Sequence, residues 1–118
     1  MFDDRSPIYH QIAEKIKKEI LVGDLGADEQ VMSTNQYAAF YRINPATAAK
    51  AFQELVDEGL LYKRRGIGMF VSPVAQKRLR EQRRERFFSD VVRPMVAEAR
   101  AVGVDLQEII HHLNQQGR

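Results

Sequence analysis

The chain has 118 residues, 44% of them apolar, enough for one compact domain with an appendage, and it has no cysteine, which excludes a disulfide framework and thiolate chemistry. No apolar run is long enough to span a bilayer and the start, "MFDDRSPIYHQ", is acidic and polar rather than basic then apolar, so a cytoplasmic protein with no membrane partner is expected. The net charge of +2 divides unevenly: residues 1–72 carry 9 Lys/Arg against 10 Asp/Glu and residues 73–118 carry 9 against 6, so any case for nucleic acid must rest on local patches.

The first predicted element is an amphipathic helix in "SPIYHQIAEKIKKEILVG". Ile8, Ile12, Ile16, Ile20 and Leu21 share a face, Ser6 is the expected N-cap with Pro7 at the first position, and Gly23 is the stop. "DLGADEQVM" reads as a loop. Ser33 is expected to cap a short second helix, "TNQYAAFYR", that turns Tyr37, Ala38 and Phe40 or Tyr41 inward. After the turn "RIN", Asn44 is the N-cap and Pro45 the first residue of a third helix running to Glu58, with Ala48, Ala51, Phe52, Leu55 and Val56 on its buried side. "LLYKRRGIGMFV" then pairs two β-prone runs, Leu60–Tyr62 and Met69–Val71, around a basic, glycine-containing tip. Helix, helix, turn, helix and hairpin predict a winged helix-turn-helix over residues 1–72, in a chain that is mainly α with one small β-hairpin.

Pro73 marks the expected boundary. "VAQKRLREQRRER" is charged, and its Glu and Arg residues are spaced for pairing along a solvated helix face. Beyond it Phe87, Phe88, Val91, Val92, Met95, Val96 and Ala99 recur at steps of three and four, with Pro94 expected to kink or split the helix near Arg93. A last helix, capped by Asp105, carries Leu106, Ile109, Ile110 and Leu113. Residues 73–118 are thus read as a two-helix tail. Its stripe of Phe87, Phe88, Val91, Val92, Met95, Ile109, Ile110 and Leu113 is longer than a small winged domain can cover, so these residues are expected to form a dimer contact.

The third helix carries the most informative chemistry. Its periodicity turns Ala46, Thr47, Lys50, Gln53 and Glu54 away from the core, and small residues near an N-terminus give the low profile that major-groove entry needs. An alanine-rich solvent face would look the same, since alanine is the best helix former. The tip "KRRGIG" separates the two readings: Lys63, Arg64 and Arg65 beside Gly66 and Gly68 combine charge with a backbone that can approach phosphate or the minor groove. Ser33 can cap its helix and also present a hydroxyl to phosphate. His111 and His112 diverge by about 100° on a helix and have no carboxylate or cysteine set to support a metal site. No nucleophile–base grouping or phosphate-binding loop is present, so neither an enzyme nor a cofactor is expected.

"PIYHQIAEKIKKEILVGDL" and "NPATAAKAFQELVDEGLLYKRRGIGMFV" resemble, nearly continuously over residues 7–72, the DNA-binding domain of the GntR family of bacterial transcription regulators. The short tail with "FFSDVV" and "GVDLQEIIHHL" is similar to the YtrA-like branch, whose tail is two helices used for dimerisation. The resemblance implies a homodimer on a palindromic double-stranded DNA operator, usually repressing. It implies DNA contacts from the residues at Ser33, Asn44, Thr47 and Lys50 and from the wing residues Arg65 and Gly66; the residue reading adds Thr34, Asn35, Ala46, Arg64 and Gly68 to the expected DNA-binding set. The chain departs from the family pattern at Met32, Asn35, Tyr37 and Ala49, where proline, arginine, leucine and arginine are common. The alternative is a protein-interaction module that docks a partner through its winged domain and basic tail. A small-molecule effector is neither indicated nor excluded by the residues; the tail is too short to enclose a sizeable ligand, so any inducer is expected between subunits or between winged domain and tail.

Overall fold

Ile12, Ala13, Ile16 and Ile20 recur at helical spacing, and all four are buried on one side of helix α1, Ile8–Leu21. This is a computed structural model, and it describes residues 2–117. Helix α1 begins without a side-chain cap: Pro7 occupies the cap position in an extended conformation, not Ser6 as expected. The Ser6 carbonyl is instead an acceptor for Gln11 Nε2 at 2.7 Å, and Gln11 also exchanges hydrogen bonds with the backbone of Asp3. Gln11 therefore ties the N-terminal segment to the helix in the place of a cap.

Ser33 does cap helix α2, Thr34–Tyr41, and with Gln36 it completes a reciprocal capping box. Tyr37 and Ala38 are buried, Tyr41 is half-buried, and Phe40 points outward, 67% exposed, so Tyr41 takes the inner position. Helix α3, Pro45–Asp57, starts at Asn44 and places Ala48, Ala51, Phe52 and Leu55 in the core against α1 and α2. Lys17 of α1 lies between Glu14 and Glu58, 3.0 Å from the latter, and links α1 to the end of α3.

Strands β1, Leu61–Arg64, and β2, Gly68–Val71, form the antiparallel hairpin, with Leu61 opposite Val71 and Arg64 opposite Gly68. Leu60 precedes β1 and is buried, as are Leu61 and Val71, so the hairpin root belongs to the core and its tip does not. The stretch expected as a plain loop contributes a third edge. Gln30 bridges to Phe70, the Val31 amide donates to the Met69 carbonyl at 2.9 Å, and the Val71 amide donates to the Glu29 carbonyl at 2.9 Å. Its sequence gave no alternating apolar pattern because only a few residues pair.

The chain divides into two compact units, Met1–Arg80 and Glu81–Arg118. The expected boundary at Pro73 falls earlier than this division. The start of helix α4, Ala75–Phe87, buries Ala75 and Leu79 in the first unit's core, where Gln76 Nε2 donates to the Leu21 carbonyl and Arg78 Nη1 to the Glu58 carbonyl. Two apolar residues in a charged run supplied too faint a periodicity to reveal that anchor.

In the second unit the backbone stays helical through the region of Pro94. A π-helical segment, Phe88–Val92, precedes helix α5, Arg93–Val102, and the Arg93 amide bonds back five residues to the Phe88 carbonyl. Proline lacks an amide hydrogen and its ring crowds the carbonyl four residues back, and a widened turn before it relieves that crowding. Helix α6, Leu106–Gln116, is capped by Asp105 in a second reciprocal box with Glu108. Phe87, Phe88, Val91, Met95, Val102, Leu106, Ile110 and Leu113 of this segment are each at least 40% exposed among the described residues. No helix among the described residues is long and apolar enough to cross a membrane.

Candidate nucleic-acid interface

The N-terminal turn of α3 is assembled by its cap. Asn44 Oδ1 accepts from the Ala46 amide at 2.7 Å, and Pro45, which has no amide hydrogen, fills the position where one would be unpaired. Ala46, Ala49 and Lys50 are exposed beyond this turn, while Thr47 is half-buried. Glu54, expected to face away from the core, is half-buried as well, so Ala46, Ala49, Lys50 and Gln53 are the more exposed residues of the outward face of α3. Lys50 is not a loose cation: its Nζ stands 4.1 Å from the centroid of the Tyr9 ring on α1.

At α2, the Ser33 hydroxyl accepts from the Gln36 amide at 3.0 Å and its own amide donates to Gln36 Oε1. One acceptor lone pair of Ser33 is therefore used by the helix, and its O–H remains available as a donor to phosphate. Thr34 is half-buried and Asn35 exposed in the first turn.

The turn between α2 and α3 holds a residue that sequence reasoning passed over. Arg42 ends α2 with φ of 55°, in the left-handed region where glycine is the usual occupant, and its side chain is exposed. The available signal was a bulky cation at a helix stop two residues before an N-cap.

On the wing, Lys63, Arg64 and Arg65 are exposed and form no salt bridge among the described residues. The Arg64 guanidinium lies 5.7 Å from the Phe70 ring, which itself stacks on Tyr62. The two glycines of the tip differ. Gly66 has φ of 76° and open space where a Cβ would stand, so the backbone is accessible there. Gly68 has φ of 145°, a conformation that side chains rarely adopt, and lies under Gln30, whose flexible end, 2.6 Å from the position of a Cβ, would have to shift to admit one. Gln30 Nε2 also donates to the Ile67 carbonyl at 3.1 Å, and Tyr62 donates to Asp28 Oδ1 at 2.7 Å, which raises the Tyr62 pKa above its ordinary value. The wing is thus braced from the side by residues 28–31.

Lys15 forms an ion pair with Glu19 at 2.6 Å, and that hydrogen bond raises its pKa against the opposing effect of burial. Among the described residues no three His, Cys, Asp or Glu are grouped to hold a metal, and Gln116 Nε2 donates to His112.

The helices and hairpin that carry these residues form a fold also found in known proteins. Residues 8–71 match the profile of bacterial regulatory proteins of the gntR family. The chain is 44% identical over 66 residues to the HTH-type transcriptional repressor NagR of Bacillus subtilis, covering 56% of this chain and 27% of NagR. It is 30% identical over 109 residues to the HTH-type transcriptional repressor YtrA of Bacillus subtilis, covering 91% of this chain and 83% of YtrA. Among solved structures it is similar to a GntR family transcriptional regulator from Listeria monocytogenes, with TM-score 0.72 and 29% identity, covering 97% of this chain and 98% of that one. It is also similar to AraR(DBD) in complex with operator ORX1, with TM-score 0.57 and 30% identity, covering 61% of this chain and 93% of that one. The chain belongs to the gntR family of bacterial regulatory proteins and is a DNA-binding transcription regulator of the helix-turn-helix type, not an enzyme.

Proposed function

We propose that the chain is a cytoplasmic repressor that binds a palindromic operator as a homodimer. The observation that carries the DNA side is the outward face of α3, where small residues and one braced cation stand at a capped helix start. In this reading Ala46, Thr47 and Lys50 enter the major groove, and Asn44 with Ser33, Thr34 and Asn35 supports them from the helix starts. Arg64, Arg65 and the open backbone of Gly66 meet phosphate or the adjacent minor groove. Gly68 serves the same end indirectly by admitting Gln30 beneath the wing. Arg42 joins this set as a further cation near the start of α3. The similarity to a DNA-binding domain held on its operator supports the orientation.

The dimer side rests on the uncovered apolar surface of the second unit. Phe87, Phe88, Val91, Met95, Ile110 and Leu113 are exposed, Val92 and Ile109 are half-buried, and Val102 and Leu106 are further exposed apolar residues of the same unit. A two-fold partner would bury it and would present two recognition helices to half-sites about one helical turn, roughly 34 Å, apart. Repression follows the names of the two relatives.

Selection of bound duplexes from a random pool tests the reading. The expected outcome is an inverted repeat whose half-sites lose affinity with Lys50→Ala. Recovery of fragments with no shared sequence, or of a single unrepeated site bound by a monomer, rules it out.

A further inference from the structure

Cations that hold the first unit together rest on carboxylates. Arg5 pairs with Asp3, Lys15 with Glu19, and Lys17 with Glu14 and Glu58. Lys15 also lies 5.3 Å from the Tyr41 ring, but Glu19 holds its ammonium at 2.6 Å. Lys50 and Arg64 are different: among the described residues neither forms an ion pair, and each stands over an aromatic ring.

Both rings are held from behind. Tyr9 is half-buried at the start of α1 and packs against the core, with Lys50 Nζ 4.1 Å from its centroid. On the wing, Tyr62 lies opposite Phe70, and side chains alternate along each strand, so Tyr62, Arg64 and Phe70 share one face. The Tyr62 hydroxyl donates to Asp28 Oδ1 at 2.7 Å, and its ring stacks on Phe70 with centroids 5.7 Å apart and 22° between the planes. The Arg64 guanidinium is 5.7 Å from the Phe70 centroid, inside the roughly 6 Å reach of a cation–π contact. Asp28 thus steadies the ring stack through a neutral donor and leaves the charge of Arg64 unpaired.

The choice of seat has a physical consequence. A carboxylate would fix a cation, but it would cancel the charge and repel phosphate. A ring attracts the cation through its quadrupole and carries no net charge. Contact with DNA phosphate draws on the full cationic charge, through release of counterions. A seated side chain has also given up rotamer freedom before binding rather than during it.

We propose that Tyr9 and Phe70 are positioning residues for DNA binding: their rings hold Lys50 and Arg64 in place with the charge undiminished, and Tyr62 steadies Phe70. The seats themselves do not depend on the DNA reading given above; their effect on operator affinity rests on it.

Double-mutant cycles on the full chain, read by fluorescence anisotropy on the selected operator over a range of salt, test the proposal. Tyr9→Leu and Phe70→Leu should each weaken binding about two- to five-fold with the salt slope unchanged, because the cation is still present. Lys50→Ala and Arg64→Ala should each flatten the slope by about one unit. In those backgrounds Tyr9→Leu and Phe70→Leu, respectively, should cost nothing further, and Phe70→Tyr, which keeps the ring, should bind like wild type. Equal losses with and without the cation overturn the seat concerned, as does a Phe70→Tyr loss equal to that of Phe70→Leu.

Proton NMR of the free chain tests the seats without DNA. Ring currents should move the side-chain methylene protons of Lys50 and Arg64 upfield of those of Lys63 and Arg65, and the two leucine variants should abolish the shift. Unshifted methylenes in wild type overturn the seats, and this measurement decides the matter if a leucine variant fails to fold. If the shifts are present but Lys50→Ala and Arg64→Ala bind the operator like wild type, the consequence for DNA is overturned. If no operator is bound under any condition, the DNA reading has failed and the NMR comparison still decides the seats.

Discussion

The Lys50 ammonium lies 4.1 Å from the centroid of the Tyr9 ring, so a residue of α1 sets the position of the main cation on α3. Such a contact is worth about 0.5–1 kcal/mol at an exposed site. Tyr9→Leu should therefore weaken operator binding about two- to five-fold with little change in the unfolding midpoint, whereas Tyr9→Phe, which keeps the ring face, should bind like wild type. Fluorescence anisotropy on the selected operator measures both. If Tyr9→Phe loses as much as Tyr9→Leu, the hydroxyl and not the ring face is what matters.

Arg42 stands in the left-handed region with φ of 55°, a conformation that disfavours any side chain by about 1 kcal/mol. Arg42→Gly should relieve that strain and raise the thermal midpoint, and it should also weaken operator binding and flatten its salt dependence by about one unit of slope. Opposite signs in the two measurements are the signature. A variant that gains stability and binds unchanged would remove Arg42 from the interface.

The wing glycines make a graded pair. Gly66→Ala meets only the backbone penalty of its φ of 76°, about 1 kcal/mol. Gly68→Ala combines φ of 145° with a Cβ in the space of Gln30 Nε2 and should cost about 1–3 kcal/mol, with loss of the Gln30 bond to the Ile67 carbonyl. Urea unfolding compares them, and equal midpoints would show that Gln30 does not brace the wing.

In the tail, Val91→Asp and Ile110→Asp place charge on surfaces that are 52% and 46% exposed in the single chain. Each should fold normally and sediment as a monomer at micromolar concentration where wild type sediments as a dimer. A monomeric wild type would exclude the tail as a dimer contact.

Burial pushes the Tyr37 pKa up to about 12, with a defined pH consequence. The fold favours the neutral phenol, so this contribution to stability is intact below about pH 10, the ordinary value, and is lost as pH rises toward about 12. Alkaline unfolding followed by circular dichroism should begin at lower pH in wild type than in Tyr37→Phe. Coincident alkaline transitions would mean that the hydroxyl ionises without opposition from the fold.

Much of the fold was legible in the residues because it is written in short-range signals. Ser33, Asn44 and Asp105 are caps that act within three residues, and the buried sides of α1 and α3 follow from spacing alone. The candidate DNA-facing residues on α3 and the wing came from the same local patterns. Ser6 misled because it resembles a cap in type, while the cap position falls on Pro7 and Gln11 holds the Ser6 carbonyl. The division at Arg80 was not legible because Ala75 and Leu79 alone mark the inner side of a highly charged helix.

By itself, the sequence determined which segments are helical, which face of each is apolar, and that small residues and one cation stand at the start of α3. These depend on residues within one or two turns of each other, where periodicity and capping dominate the free energy. Only the tertiary structure decided that Tyr9 seats Lys50, that Gln30 braces the wing and takes the space above Gly68, and that Tyr37 buries its hydroxyl without a hydrogen-bond partner. The first two of these relationships join residues 37 to 41 positions apart in the chain. They arise from how the packed helices and hairpin meet, and no local preference of any one residue specifies them.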